Sequence, residues 1–151
     1  MARKNKHLQL LCLSFFLFLI PSLGRATTLL QAALRDFGQV IWERPISPGE
    51  QFYLIHRNSI YGSLVWEAFT VDGEGLIWLK GIKSSDPAVL EYYGLEDFSS
   101  EWIGLSRKIE RIPLLITLLG EVRLEFGPEK LFLSTLLPDG TFLNIQTVKN
   151  P

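Results

Sequence analysis

A mostly β fold, a small antiparallel sandwich or barrel-like domain, is what this sequence predicts, and three observations predict it. Short runs rich in Val, Ile, Leu, Phe, Tyr and Trp recur along the chain. Turn signals built from Gly, Pro and Asp fall between them at intervals of about ten residues. No apolar pattern keeps a helical period for long.

The elements follow in order. Leu29 to Arg35 alternates loosely, and Asp36-Phe37-Gly38 turns it into Gln39–Glu43. Pro45-Ile46-Ser47-Pro48-Gly49-Glu50 is a loop, because two prolines and a glycine oppose ladder bonding there. Gln51–Ser59 and Ser63–Val71 are strands rich in β-formers, expected to pair as an antiparallel hairpin. Asp72-Gly73-Glu74-Gly75 closes a second hairpin into Leu76–Ile82, since Asp-Gly suits the positive φ of a tight turn. Lys83 to Ser106 is less regular and concentrates the aromatics Tyr92, Tyr93, Phe98 and Trp102. Strand patterning returns at Leu114–Leu118, Glu121–Phe126, Leu131–Leu133 after Gly127-Pro128-Glu129-Lys130, and Thr141–Val148 after Pro138-Asp139-Gly140. Ala88–Tyr93 and Ser134–Leu137 are the brief helical turns.

The first 26 residues have a different character. Arg3, Lys4 and Lys6 precede an almost wholly apolar run from Leu8 to Leu23, and Gly24-Arg25-Ala26 offers the small residues a signal peptidase reads. Residues 1–26 are therefore expected to be a signal peptide cut after Ala26, leaving one β-rich domain over 27–151. An uncleaved anchor is the alternative, but the run is shorter than the roughly 20 residues of a spanning helix. Either way the domain is expected to be periplasmic or otherwise exported, touching a membrane only through that segment if it is retained.

Charge and sulfur narrow the functional classes. The chain has 15 Lys and Arg against 16 Asp and Glu. Removing Arg3, Lys4, Lys6 and Arg25 leaves 11 against 16, a net charge of −5. A mildly acidic surface without basic runs argues against a nucleic-acid partner. Arg107, Lys108 and Arg111 form a minor basic cluster that reads as a solvated sheet edge. Cys12, the one cysteine, lies in the N-terminal segment, so the domain has neither a disulfide nor a thiolate metal site.

Familiar catalytic patterns are missing: no Gly-rich phosphate loop, no nucleophile elbow and no paired-histidine zinc helix. Beyond residue 26 there is one histidine, His56, and Asp72-Gly73-Glu74 is too short for a calcium loop. No cofactor or metal is expected, and the protein is not expected to be an enzyme.

One polar cluster stands out, His56-Arg57-Asn58-Ser59 with Glu67. Glu67 lies mid-strand with Val65 and Phe69 on its own face and Leu64, Trp66 and Ala68 on the other, so it should be buried. A buried carboxylate needs a partner or a raised pKa. Register chooses that partner. A three-residue loop at Ile60–Gly62 sets Glu67 beside Tyr53, Arg57 and Ser59; a slip of one residue sets it beside His56 and Asn58. Such a network can simply fix a strand, contact a ligand or partner, or, least expected, do chemistry. The set Tyr92, Tyr93, Phe98 and Trp102 either plugs the open end of the sandwich or lines a cleft.

The series Pro48-Gly49-Glu50-Gln51-Phe52, Asn58-Ser59-Ile60, Val65-Trp66-Glu67-Ala68-Phe69 and Val71-Asp72-Gly73-Glu74-Gly75-Leu76 resembles the bacterial family catalogued as domain of unknown function 1850. The likeness runs on through Glu91-Tyr92-Tyr93-Gly94, Val122-Arg123-Leu124, Leu131-Phe132-Leu133 and Gly140, from about Leu29 to Val148. Members carry a His-Ser pair ahead of a glutamate; here Asn58 stands at the histidine's place, Ser59 and Glu67 are kept, and His56 lies two residues earlier. Such proteins are often encoded beside, or fused to, permeases of tripartite ATP-independent periplasmic transporters. The resemblance thus implies a non-catalytic extracytoplasmic binding accessory, whose partner is the permease or its solute-binding protein. The expected contact residues are His56, Arg57, Asn58, Ser59, Glu67, Tyr92 and Tyr93. The rivals are a stand-alone small-ligand-binding protein and a hydrolase using Glu67 with His56 or Ser59.

Overall fold

The computed structural model describes residues 27–96, 101–117 and 120–150. The expected signal peptide, Phe98 and the end of the Leu114–Leu118 run lie outside the described residues.

Among the described residues ten strands and two short helices succeed one another: β1 (Thr27–Leu34), β2 (Val40–Pro45), β3 (Gln51–Arg57), β4 (Leu64–Val71), β5 (Ile77–Ser84), α1 (Pro87–Tyr92), β6 (Ile103–Ile109), β7 (Ile112–Leu115), β8 (Arg123–Phe126), β9 (Glu129–Phe132), α2 (Leu133–Leu136) and β10 (Phe142–Asn150). They form a four-stranded sheet in the order β2-β1-β10-β7 and a six-stranded sheet in the order β6-β5-β4-β3-β8-β9. Every pairing in both is antiparallel. The two sheets pack face to face as the small β-sandwich that the strand spacing predicts.

Alternation puts Leu30, Ala32, Leu143 and Ile145 of one sheet against Phe52, Leu54, Val65, Phe69, Leu79 and Leu124 of the other. Phe52 stacks between Phe69, at 5.3 Å, and Phe126, at 5.7 Å. Each such fully buried side chain contributes on the order of 1.5–3 kcal/mol through the water it sheds. Arg44 closes one side of the sandwich: its guanidinium lies 4.4 Å over the Phe126 ring and reaches Glu50 at 2.9 Å and Glu129 at 3.5 Å. On the other side the chain itself closes it, crossing from β6 to β7 in three steps.

Three expectations are corrected. The stretch read as irregular, Lys83 to Ser106, contains the first half of β6, an edge strand that runs on through Arg107 and Lys108, whose charges suit an unpaired edge as expected. The run expected at Leu114–Leu118 begins earlier, as β7; Pro113 is tolerated because β7 is also an edge and gives up no ladder bond on its free side. In the β4–β5 hairpin the positive φ falls on Gly75, at +80°, and not on Gly73. The Asp72 carboxylate accepts from Glu74 N, Leu76 N and the Trp78 indole, each at 2.9 Å, which leaves the left-handed position three residues later.

Candidate functional site

The β3–β4 hairpin builds the site. Leu54 pairs with Glu67 and His56 with Val65, which is the slipped register of the two possibilities. The connection is the four residues 59–62, and Asn58 dictates it. Its Oδ1 accepts from Ile60 N at 2.9 Å and Tyr61 N at 3.1 Å, while its carbonyl accepts from Gly62 N at 2.8 Å, with Gly62 at φ +67°. An Asx turn of this kind fixes loop length, and loop length fixes register. His56 and Glu67 therefore share the inner face of the six-stranded sheet, toward the opposite sheet.

There Glu67 is 8% exposed. His56 Nε2 stands 3.5 Å from its Oε2, and the Tyr93 hydroxyl donates to its carboxylate. Tyr93 arrives from α1. Asp86 caps that helix through Ala88 N at 3.0 Å, ahead of Pro87 in the first turn. The same carboxylate accepts from Ser63 Oγ at 2.7 Å, which ties the helix start to the hairpin turn. Burial, then the charge of Glu67 and its hydrogen bond, push the Tyr93 phenol well above the ordinary tyrosine range.

Around these groups a cleft of about 390 Å³ opens between the sheets at one end of the sandwich. Leu54, Phe69, Ile112, Leu114 and Val122 form apolar walls; Arg57, Ser59, Tyr92 and Thr117 stand toward the mouth. Arg57 is engaged there, donating to the Gly62 carbonyl at 2.6 Å and to Glu121 at 3.2 Å. Gly120 lets the chain pass close to Thr117 there: a Cβ on it would lie 2.6 Å from Thr117 Oγ1.

All seven expected site residues thus line one cleft, in unequal roles. His56, Glu67 and Tyr93 form its polar floor, and Tyr92 stands 65% exposed at the rim. Asn58 is spent on its own turn. Ser59 is exposed, with no hydrogen bond to His56 among the described residues. Trp102 goes elsewhere, packing its ring 5.7 Å from Tyr53, so the aromatic set is divided. Sequence reasoning missed Ile112, Leu114, Thr117 and Val122, which reach the cleft only because two sheets converge. Among the described residues no group of three or more His, Cys, Asp and Glu is placed to hold a metal ion, and no helix is long and apolar enough to cross a membrane. No family model matches the chain, and neither a curated protein nor a solved structure matches it.

Proposed function

We propose that this protein is a non-catalytic, extracytoplasmic binding module, accessory to a tripartite ATP-independent periplasmic solute transporter, and that it recognises its target through the inter-sheet cleft. The observation that carries the reading is the cleft itself. A preformed, apolar-walled concavity with a few convergent polar groups is the usual build of a recognition site, and about 390 Å³ falls within the roughly 300–1,000 Å³ typical of small-molecule sites. The basic-then-apolar N-terminal segment supports export. The resemblance to domain of unknown function 1850 supports the transport context, which is association and not mechanism.

The cleft equally favours a stand-alone ligand carrier, and one experiment separates the two. Wild type, Ser59→Ala and Tyr93→Ala are used as bait for permeases and solute-binding proteins of this transporter class from the same cells, with each fold checked by circular dichroism. The accessory reading expects capture by wild type and weakened capture by both folded variants. No capture by wild type refutes it in favour of the carrier. The hydrolase alternative has the 3.5 Å His56–Glu67 pair in its favour. Turnover in a hydrolase screen, lost on Glu67→Gln, would establish that class instead.

A further inference from the structure

The cleft also indicates what it takes. Glu67 is nine-tenths buried at its floor, and a carboxylate has about four acceptor positions. Tyr93 fills one by hydrogen bond, and His56 stands at 3.5 Å, an ion-pair distance longer than a well-formed hydrogen bond. Acceptor capacity therefore remains inside the cavity, on a group that is expensive to leave unsatisfied. The lining contains no lysine, and its one arginine, Arg57, is committed to Gly62 and Glu121. An anion entering the cleft would meet the Glu67 charge with no free guanidinium or ammonium to offset it, the His56 imidazole being already directed at that carboxylate. A cation would meet the Glu67 carboxylate beside the Tyr93 hydroxyl, with the Tyr92 ring, packed edge to face on Tyr93 at 5.9 Å, at the rim it passes. A buried carboxylate with acceptor positions left over is the chemistry that holds an ammonium, through charge-assisted hydrogen bonds. The walls of Leu54, Phe69, Ile112, Leu114 and Val122 suit an apolar body behind that charge.

We infer that the cleft binds a small organic ammonium, a protonated amine carrying an apolar group, with its N–H donors on the Glu67 carboxylate. This rests on the reading of the cleft as a recognition site and adds the charge of what enters it.

Three probes of matched shape test the charge: 2-phenylethylammonium, 2-phenylethanol and 3-phenylpropionate. Each is titrated at neutral pH into the isotope-labelled domain and followed through the backbone amides of residues 54–58, 67 and 92–93. The expected result is saturable shifts with the ammonium, at an apparent Kd at least tenfold below that of the propionate. Glu67→Gln, which keeps the shape and removes the charge, should weaken the ammonium at least tenfold. Equal or tighter binding of the propionate overturns the inference on wild-type protein alone, however well the variant folds. So does ammonium affinity within twofold of wild type in a folded Glu67→Gln. Tightest binding by the alcohol overturns the charge assignment and leaves the recognition site standing. If no probe moves the cleft amides the ammonium assignment fails, and the pull-down, which uses no small probe, judges the binding reading separately.

Discussion

Tyr93 shows how a residue's surroundings become a pH dependence. Burial comes first, followed by the Glu67 charge and the hydrogen bond to it, and all of them favour the neutral phenol. In the unfolded chain a tyrosine ionises near pH 10. With the folded value raised, the stabilisation is complete below about pH 10 and is lost as pH climbs above it, because only the unfolded state gives up its proton there. The slope is at most about 1.4 kcal/mol per pH unit, and less because the ring is partly exposed. Denaturant midpoints measured between about pH 9 and 11 should therefore fall more steeply for wild type than for Tyr93→Phe. Parallel curves would show that the Tyr93 phenol is neither buried nor set against Glu67 in the way described. The burial of Glu67 was legible in the sequence, since apolar neighbours on both faces of a strand leave it nowhere else to point. Its hydroxyl partner was not: Tyr93 reaches it from a helix 26 positions later, a meeting set by Asp86 gripping Ser63 and not by any local pattern.

At the scale of the element, turn chemistry decides where pairing begins. The β4–β5 hairpin has two glycines, and they are not equivalent. Gly75 sits at φ +80° with Lys149 and Thr28 atoms 3.5 Å from where a Cβ would lie; Gly73 has an ordinary φ and open space around it. Gly75→Ala should destabilise the fold by about 1–2 kcal/mol, the usual penalty for a side chain held left-handed. Gly73→Ala should be nearly neutral. Chemical denaturation of both variants checks this, and a reversed order would mean that the turn has another register. From the sequence the Asp-Gly pair located this turn but pointed to the wrong glycine, because the capacity of Asp72 to bind Glu74, Leu76 and Trp78 at once depends on all three being folded back toward it. In the β3–β4 hairpin Asn58 makes the analogous choice, and reading it as a turn residue would have selected the His56 register from the sequence alone. The β6 strand escaped notice for a different reason. Gly104, Ser106, Arg107 and Lys108 interrupt its alternation, and an edge strand with polar residues on both faces carries little periodic signal.

On the scale of the whole molecule, the cleft and the start of the first strand occupy opposite poles. Thr27 pairs with Asn150, and Gly75 approaches both Thr28 and Lys149, so β1 starts at the end that carries the β4–β5 turn. The β3–β4 turn, α1 and the cleft lie at the other end, which the eight residues of β1 separate by roughly 25 Å. Several exposed apolar side chains gather at that far end: Phe37, Ile60 and Tyr92 are 84%, 67% and 65% exposed, and Phe142 joins them at the start of β10. If residues 1–26 direct export as proposed and are retained as an anchor, Thr27 is the membrane-side end of the domain and the cleft is presented outward. If they are cut, the domain is freed on the same side of the membrane. Chemical labelling can read that arrangement, because Cys12 is the one cysteine and the described domain has none. Full-length chain carrying Ser59→Cys with Cys12→Ser is produced in a bacterial host whose outer membrane is then permeabilised, with cells and released periplasmic fraction kept together. A membrane-impermeant maleimide should then label residue 59 to the same extent before and after lysis, since Ser59 is exposed at the mouth of the cleft. Prior binding of a target in the cleft should slow that labelling. Modification seen only after lysis would place the domain in the cytoplasm and remove the basis for a role in solute uptake, while leaving the sandwich and its Glu67 floor as they are.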